Sequence, residues 1–97
     1  MKTTGEIISL LQAFKAKSAS KYGINTLGIF GSYARSQQDE HSDLDVFVVL
    51  NEPDYFTIER IKEELEHFIH FPIDIISYRD TLRKSLKENI LRDAIYI

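Results

Sequence analysis

The stretch Ser42-Asp43-Leu44-Asp45-Val46-Phe47-Val48-Val49-Leu50 decides how the chain is read. From Leu44 to Leu50 it is a near-continuous apolar run rich in β-branched residues, the pattern of a central strand buried on both faces. Its start carries two carboxylates. Side chains two apart on a strand share a face, so Asp43 and Asp45 project together while Leu44 points the other way. Like charges this close repel, and near a core they are costly. A divalent cation resolves the conflict, because Mg²⁺ takes oxygen ligands and is commonly held by one or two carboxylates plus substrate phosphates.

Working outward from that strand, residues 37–42 contain no apolar side chain and read as a loop. Before the loop, Ile24, Leu27, Ile29 and Phe30 predict a short buried strand over 25–30, ended by Gly31-Ser32, with a short helix at Tyr33-Ala34-Arg35. Further back, Thr3 and Glu6 have capping-box spacing, Ile7, Leu11 and Phe14 recur at helical intervals, and Gly23 is a natural stop, so a helix is expected over 4–22. On the other side, Pro53 marks a loop. Ile58, Ile61, Leu65, Phe68 and Ile69 predict a helix over 56–71 that Pro72 breaks. Residues 73–77 predict a strand, and Leu82, Leu86, Ile90, Leu91, Ala94 and Ile95 return to helical spacing. The order is αβαβαβα, an α/β (α+β) fold with a small mixed sheet of three strands or slightly more and flanking helices. A full helix joins the second and third strands, which implies a right-handed parallel crossover, and the first two strands are free to pair antiparallel.

Two further features sit near the Asp pair. Asp74, in Pro72-Ile73-Asp74-Ile75-Ile76, places a third carboxylate among apolar residues of the next strand, where an unpaired buried charge needs a reason. If the two strands are neighbours, about 4.8 Å apart, Asp74 joins the cluster. Three such carboxylates suffice to place two metal ions for an in-line phosphoryl displacement. The segment Ile29-Phe30-Gly31-Ser32-Tyr33-Ala34-Arg35 is the second feature. Gly31 lets a backbone approach a ligand closely, Ser32 offers a hydroxyl and an N–H suited to phosphate, and Arg35, one turn on, reaches toward the same group. A plain turn explains Gly-Ser alone, and a turn or cap explains a lone Asp-x-Asp; the combination is more specific.

Composition bounds the rest. The chain has 97 residues, 43% hydrophobic and 28% charged, an ordinary globular composition read as one domain over 1–97. It has no cysteine, which removes disulfides, thiolate zinc sites and cysteine nucleophiles. A net charge of −3 argues against direct nucleic-acid binding by bulk charge. No apolar run reaches the roughly 18 residues of a membrane span, and the amino terminus does not read as a signal peptide, so a cytoplasmic location is expected. His67 and His70 share a helical spacing but lack a third ligand. His41 in the loop reads as solvated, and Tyr33 as core or a ligand-stacking ring.

Taken together, Gly31-Ser32-Tyr33-Ala34-Arg35, the polar loop, Ser42-Asp43-Leu44-Asp45 and the strand-borne Asp74 resemble the DNA polymerase β-like nucleotidyltransferases, and most specifically the minimal nucleotidyltransferases, or MNT proteins. The likeness covers nearly the whole chain. It implies an enzyme that binds ATP with two Mg²⁺ ions and transfers AMP to an acceptor hydroxyl. Gly31 and Ser32 would then hold the β- and γ-phosphates, and Asp43, Asp45 and Asp74 the metals. Asp74 would also assist deprotonation of the acceptor, and Arg35 would contact phosphate or acceptor. It further implies a partner, a HEPN-domain ribonuclease toxin modified on tyrosine, with this chain as its antitoxin in a hetero-oligomer; a homodimer is a further possibility. Ser36 departs from the family, which often has Gly after the Arg. Two rival readings are a binding antitoxin that works by occlusion and a small-molecule nucleotidyltransferase of the antibiotic-modifying kind. The shortness of the chain, with almost nothing left to bind an acceptor, favours an acceptor carried on another protein.

Overall fold

The computed structural model describes residues 2–97. Helix α1 spans Thr4–Tyr22 and opens on the expected capping box: Glu6 N–H donates to Thr3 Oγ1 and Thr3 N–H donates to Glu6 Oε1, each at 3.1 Å. It ends at Gly23, whose φ of +66° is left-handed. Strand β1 (Ile24–Phe30) leads through the short helix α2 (Gly31–Ala34) and a loop into β2 (Leu44–Leu50). Helix α3 (Tyr55–Ile69) is capped by Asp54, which accepts from Phe56 N–H and from Thr57 Oγ1. Strand β3 (Ile73–Ser77), helix α4 (Lys84–Asp93) and strand β4 (Ile95–Tyr96) complete the chain.

The sheet order is β3-β2-β1-β4. β1 pairs antiparallel with β2 and β4, whereas β2 and β3 are parallel, as their helical connection requires. Alternation along β2 divides the core. Leu44, Val46, Val48 and Leu50 pack with Ile7, Leu11 and Phe14 of α1 and with Ile61, Leu65 and Ile69 of α3. Phe47 belongs to the opposite face, with Phe30 of β1 and Ile90 of α4. Asp45, two residues before Phe47, shares that opposite face. A polar clasp ties α1 to α3: Glu64 accepts hydrogen bonds from Ser18 Oγ (2.5 Å), Tyr22 OH (2.8 Å) and Lys21 Nζ (2.9 Å).

Several boundaries differ from the sequence expectation. α3 stops two residues early because His70 adopts a left-handed conformation, with φ +58°. α2 begins at Gly31 rather than Tyr33. The helical spacing that included Ala94 and Ile95 ends at Asp93; Ala94 leaves the helix with a ψ of 127°, and Ile95–Tyr96 forms a fourth strand against Ile29 and Gly28. The edge of β1 presents unpaired backbone groups, and a β-branched residue followed by an aromatic suits that edge better than another helical turn. Among the described residues, no helix is long and apolar enough to cross a membrane.

Candidate active site

Three segments meet at one end of the sheet. Since β1 and β2 are antiparallel, the last residue of β1, Phe30, lies opposite Asp45; since β2 and β3 are parallel, Asp45 also lies opposite Asp74. The adjacency on which the sequence argument depended is therefore present, with Asp45 and Asp74 on strands about 4.8 Å apart. Gly31 closes the third side. Its φ is +75°, and a Cβ added there would overlap the Oδ2 atom of Asp45 and lie 3.2 Å from its Cγ. Only glycine satisfies both the left-handed backbone and the approach of the carboxylate. Ser32 follows, half-buried.

Local hydrogen bonds fix this turn. Gly31, Ser32 and Tyr33 carbonyls accept from the N–H groups of Arg35 (3.1 Å), Gln37 (2.9 Å) and Ser36 (3.2 Å). Thr4 Oγ1 donates to the Tyr33 carbonyl at 2.6 Å, which anchors α2 to the start of α1. The following loop is also ordered by its side chains: Asp39 Oδ1 accepts from His41 N–H, and Ser42 Oγ accepts from Asp39 N–H. Asp43 emerges from this turn, exposed, one residue before β2.

The electrostatics single out Asp45. Burial raises its pKa above the ordinary value of 3.8, and the charges of Asp74 and then Asp43 raise it further, while Arg35 acts in the opposite sense. Asp74 corrects the sequence argument on one point, for it is exposed. β3 is an edge strand whose Ile73 and Ile75 join the α1–α3 core, leaving Asp74 on the open face. The carboxylate in need of a partner is the half-buried Asp45.

Among the described residues, no three His, Cys, Asp or Glu side chains close on a common point. The donor chemistry nevertheless suits Mg²⁺. It is all oxygen, crowded with negative charge around a half-buried Asp45, and Mg²⁺ needs only one or two protein carboxylates beside water and phosphate.

Arg35 lies beside this cluster, with Nη1 bound to Asp93 at 2.6 Å. Sequence reasoning passed over Asp93, yet a carboxylate on the last residue of a basic helix is a detectable oddity, because the helix dipole disfavours it there. Tyr33 is fully buried and meets Phe71 edge-on, so it is a core residue. His41 is exposed, 3.5 Å from Glu40. His67 lies on α3 and His70 just past its end, their rings 6.0 Å apart.

Known proteins resemble the chain in sequence and in fold. A family model described as polymerase beta, nucleotidyltransferase matches residues 12–97. A protein adenylyltransferase named MntA from Thermococcus cleftensis is 31% identical over 98 residues, covering 100% of this chain and 98% of that one. Among solved structures, one described provisionally as a minimal nucleotidyltransferase superimposes with a TM-score of 0.83 at 30% identity, covering 99% of this chain and 97% of the other. A chain from the complex of a tri-AMPylated Shewanella oneidensis HEPN toxin with an MNT antitoxin superimposes with a TM-score of 0.61 over 96% of this chain and 66% of that chain; at 17% identity that is a likeness of fold.

Proposed function

The chain belongs to the polymerase β nucleotidyltransferase family, and from that membership we propose that residues 1–97 act as a single domain that transfers AMP from ATP to a tyrosine hydroxyl of a HEPN-domain toxin, silencing it. The observation that carries this reading is the register that sets Asp45 beside Asp74 while Gly31 packs against the Asp45 carboxylate. It brings the Gly31–Ser32 turn and an acidic cluster to the same end of the sheet. The reaction is supported by a full-length relative that bears the name protein adenylyltransferase, and the partner by the fold shared with a chain of a toxin–antitoxin complex. A hetero-oligomer with the toxin follows, and a reaction fed by ATP belongs in the cytoplasm.

Each residue then has a task. Asp43, Asp45 and Asp74 would hold two Mg²⁺ ions, which would supply charge neutralisation of the triphosphate. Gly31, without a Cβ, and Ser32, with its hydroxyl and N–H, receive the β- and γ-phosphates. Arg35 lends a positive charge on the flank. The exposed Asp74 accepts the proton of the acceptor hydroxyl. The hydroxyl oxygen bonds to the α-phosphorus, the bridge to the β-phosphate breaks, and pyrophosphate leaves.

The test incubates the protein with α-labelled ATP, Mg²⁺ and a HEPN-domain toxin from the same organism. Label should move to the HEPN protein, and the Asp43→Asn/Asp45→Asn variant should transfer at least about 100-fold more slowly. Absence of transfer by the unaltered protein, or transfer undiminished in the variant, sinks the proposal. A variant that still neutralises the toxin without transferring label would show that occlusion suffices.

A further inference from the structure

Asp93 stands where helix physics does not favour a carboxylate. It is the last residue of α4, at the negative end of the helix dipole, and its side chain is only 5% exposed. A carboxylate so placed needs paired donors. It has them in two arginines: Arg92 donates through Nε (3.0 Å) and Nη2 (3.2 Å), and Arg35 through Nη1 (2.6 Å). Arg92 is a neighbour in sequence. Arg35 is 58 residues away in sequence.

Arg35 is gripped on two sides. Its Nε donates to Gln37 Oε1 at 3.1 Å, and the Gln37 backbone N–H in turn donates to the Ser32 carbonyl. Of the five guanidinium N–H donors, those on Nη2 have no protein partner among the described residues, and the side chain remains 40% exposed. The anchor itself is fixed, since Ala94 passes directly into β4, which pairs with Gly28 and Ile29 of β1, and β1 runs into Gly31. Asp93 and the Gly31–Ser32 turn are thus both referenced to one strand.

We propose that Asp93 is a positioning residue for nucleotide binding: together with Gln37 it locks the Arg35 guanidinium so that its Nη2 edge meets the β- or γ-phosphate of the bound triphosphate. The inference rests on the function proposed above and extends it to a residue at the far end of the chain. An unclamped arginine has to freeze several rotamers on binding, whereas a pre-set planar fork loses little entropy for each hydrogen bond formed. A tie that merely held α4 to α2 would not distinguish one nucleotide from another. A clamp serving the distal phosphates would.

Isothermal titration with ATP and with AMP, each with Mg²⁺, separates these roles. Asp93→Asn should weaken ATP about tenfold and leave AMP within about twofold, because AMP lacks the phosphates that Arg35 meets. In an Arg35→Ala background, Asp93→Asn should cause no further loss of ATP affinity. Unchanged ATP affinity in Asp93→Asn, equal losses for ATP and AMP, or additive losses in the double variant would each overturn the clamp. Should Asp93→Asn fail to fold, Asp93→Glu keeps the charge while displacing it, and it should show the same loss confined to ATP; equal affinities there overturn the proposal as well. Failure of the unaltered protein to bind ATP at all would instead remove the functional reading beneath it.

Discussion

Glu64 and Asp45 are both partly buried carboxylates in a 97-residue chain, and the fold treats them in opposite ways. Glu64 lies on the helical side of the molecule, where Ser18, Lys21 and Tyr22 all donate to it. Those bonds, Ser18 first and Lys21 next, lower its pKa from 4.5 to about 2. Asp45 lies at the end of the sheet among Asp74 and Asp43, and no donor reaches its carboxylate among the hydrogen bonds of the described residues. Its pKa is raised instead. One site uses ionisation to hold two helices together. The other keeps a charge that no hydrogen-bond donor among the described residues compensates, the arrangement that the proposed function requires of a cation site.

Crowding the uncompensated site does the most damage. Gly31→Ala places a methyl group on the Asp45 carboxylate and imposes a left-handed φ on a residue with a Cβ. Both effects act at once. The backbone strain and the overlap should cost about 1–3 kcal/mol, and AMP transfer should fall more than about 100-fold. Denaturant unfolding read beside a transfer assay checks this. A variant with full activity would show that the turn tolerates displacement and that its contact with Asp45 is incidental.

The next prediction sets the two carboxylates against each other. Glu64 has a lowered pKa, so its contribution is present above pH 4.5 and is lost as pH falls through about 2. Glu64→Gln should therefore destabilise the protein by about 1–3 kcal/mol near pH 7, and the difference should shrink steadily below pH 4.5. Asp45 has a raised pKa, so the folded state binds its proton more readily than the unfolded chain. Its charge costs stability at neutral pH, and that cost disappears as pH falls below 3.8. Asp45→Asn should raise Tm by a few °C near pH 7 (on the order of 1 kcal/mol for a domain of this size) and give no gain in acid. Thermal melts of both variants across pH 2–8 test the signs together. Parallel curves would erase the distinction between the two sites.

Much of this contrast was legible in the sequence because it rides on short-range rules. The capping box at Thr3 and Glu6, the stop at Gly23 and the central strand Leu44–Leu50 depend on neighbours a few residues apart. The grouping of Asp45, Asp74 and Gly31 followed from strand direction, which the connecting helix and the short loop constrain. Four features were not legible, each because it is tertiary. Ile95 fits a helical repeat as well as a strand, and only the open edge of β1 selects the strand. Asp74 looks buried between isoleucines, but β3 lies at the edge of the sheet and leaves it exposed. The clasp on Glu64 and the grip of Asp93 on Arg35 join residues 42 or more positions apart, with no periodicity to announce them.

The smallest effect sharpens the boundary between the two regions. Ser36, immediately after Arg35, has a φ of +55°, the left-handed conformation that glycine adopts without a Cβ penalty. The family pattern that often has Gly here acquires a physical reason, and this chain carries the strain instead. Part of it is offset, because Ser36 Oγ lies 3.1 Å from Thr4 Oγ1, whose own proton goes to the Tyr33 carbonyl. Ser36→Gly relieves the backbone strain but loses that contact and adds freedom to the unfolded chain. The net should be a gain of roughly 0.3–0.8 kcal/mol, smaller than strain relief alone would give. Urea unfolding resolves a difference of that size through its midpoint. A loss of stability would mean that the hydroxyl pair tying α2 to α1 outweighs the strained φ, and that the turn before the acidic cluster is held from the helical side after all.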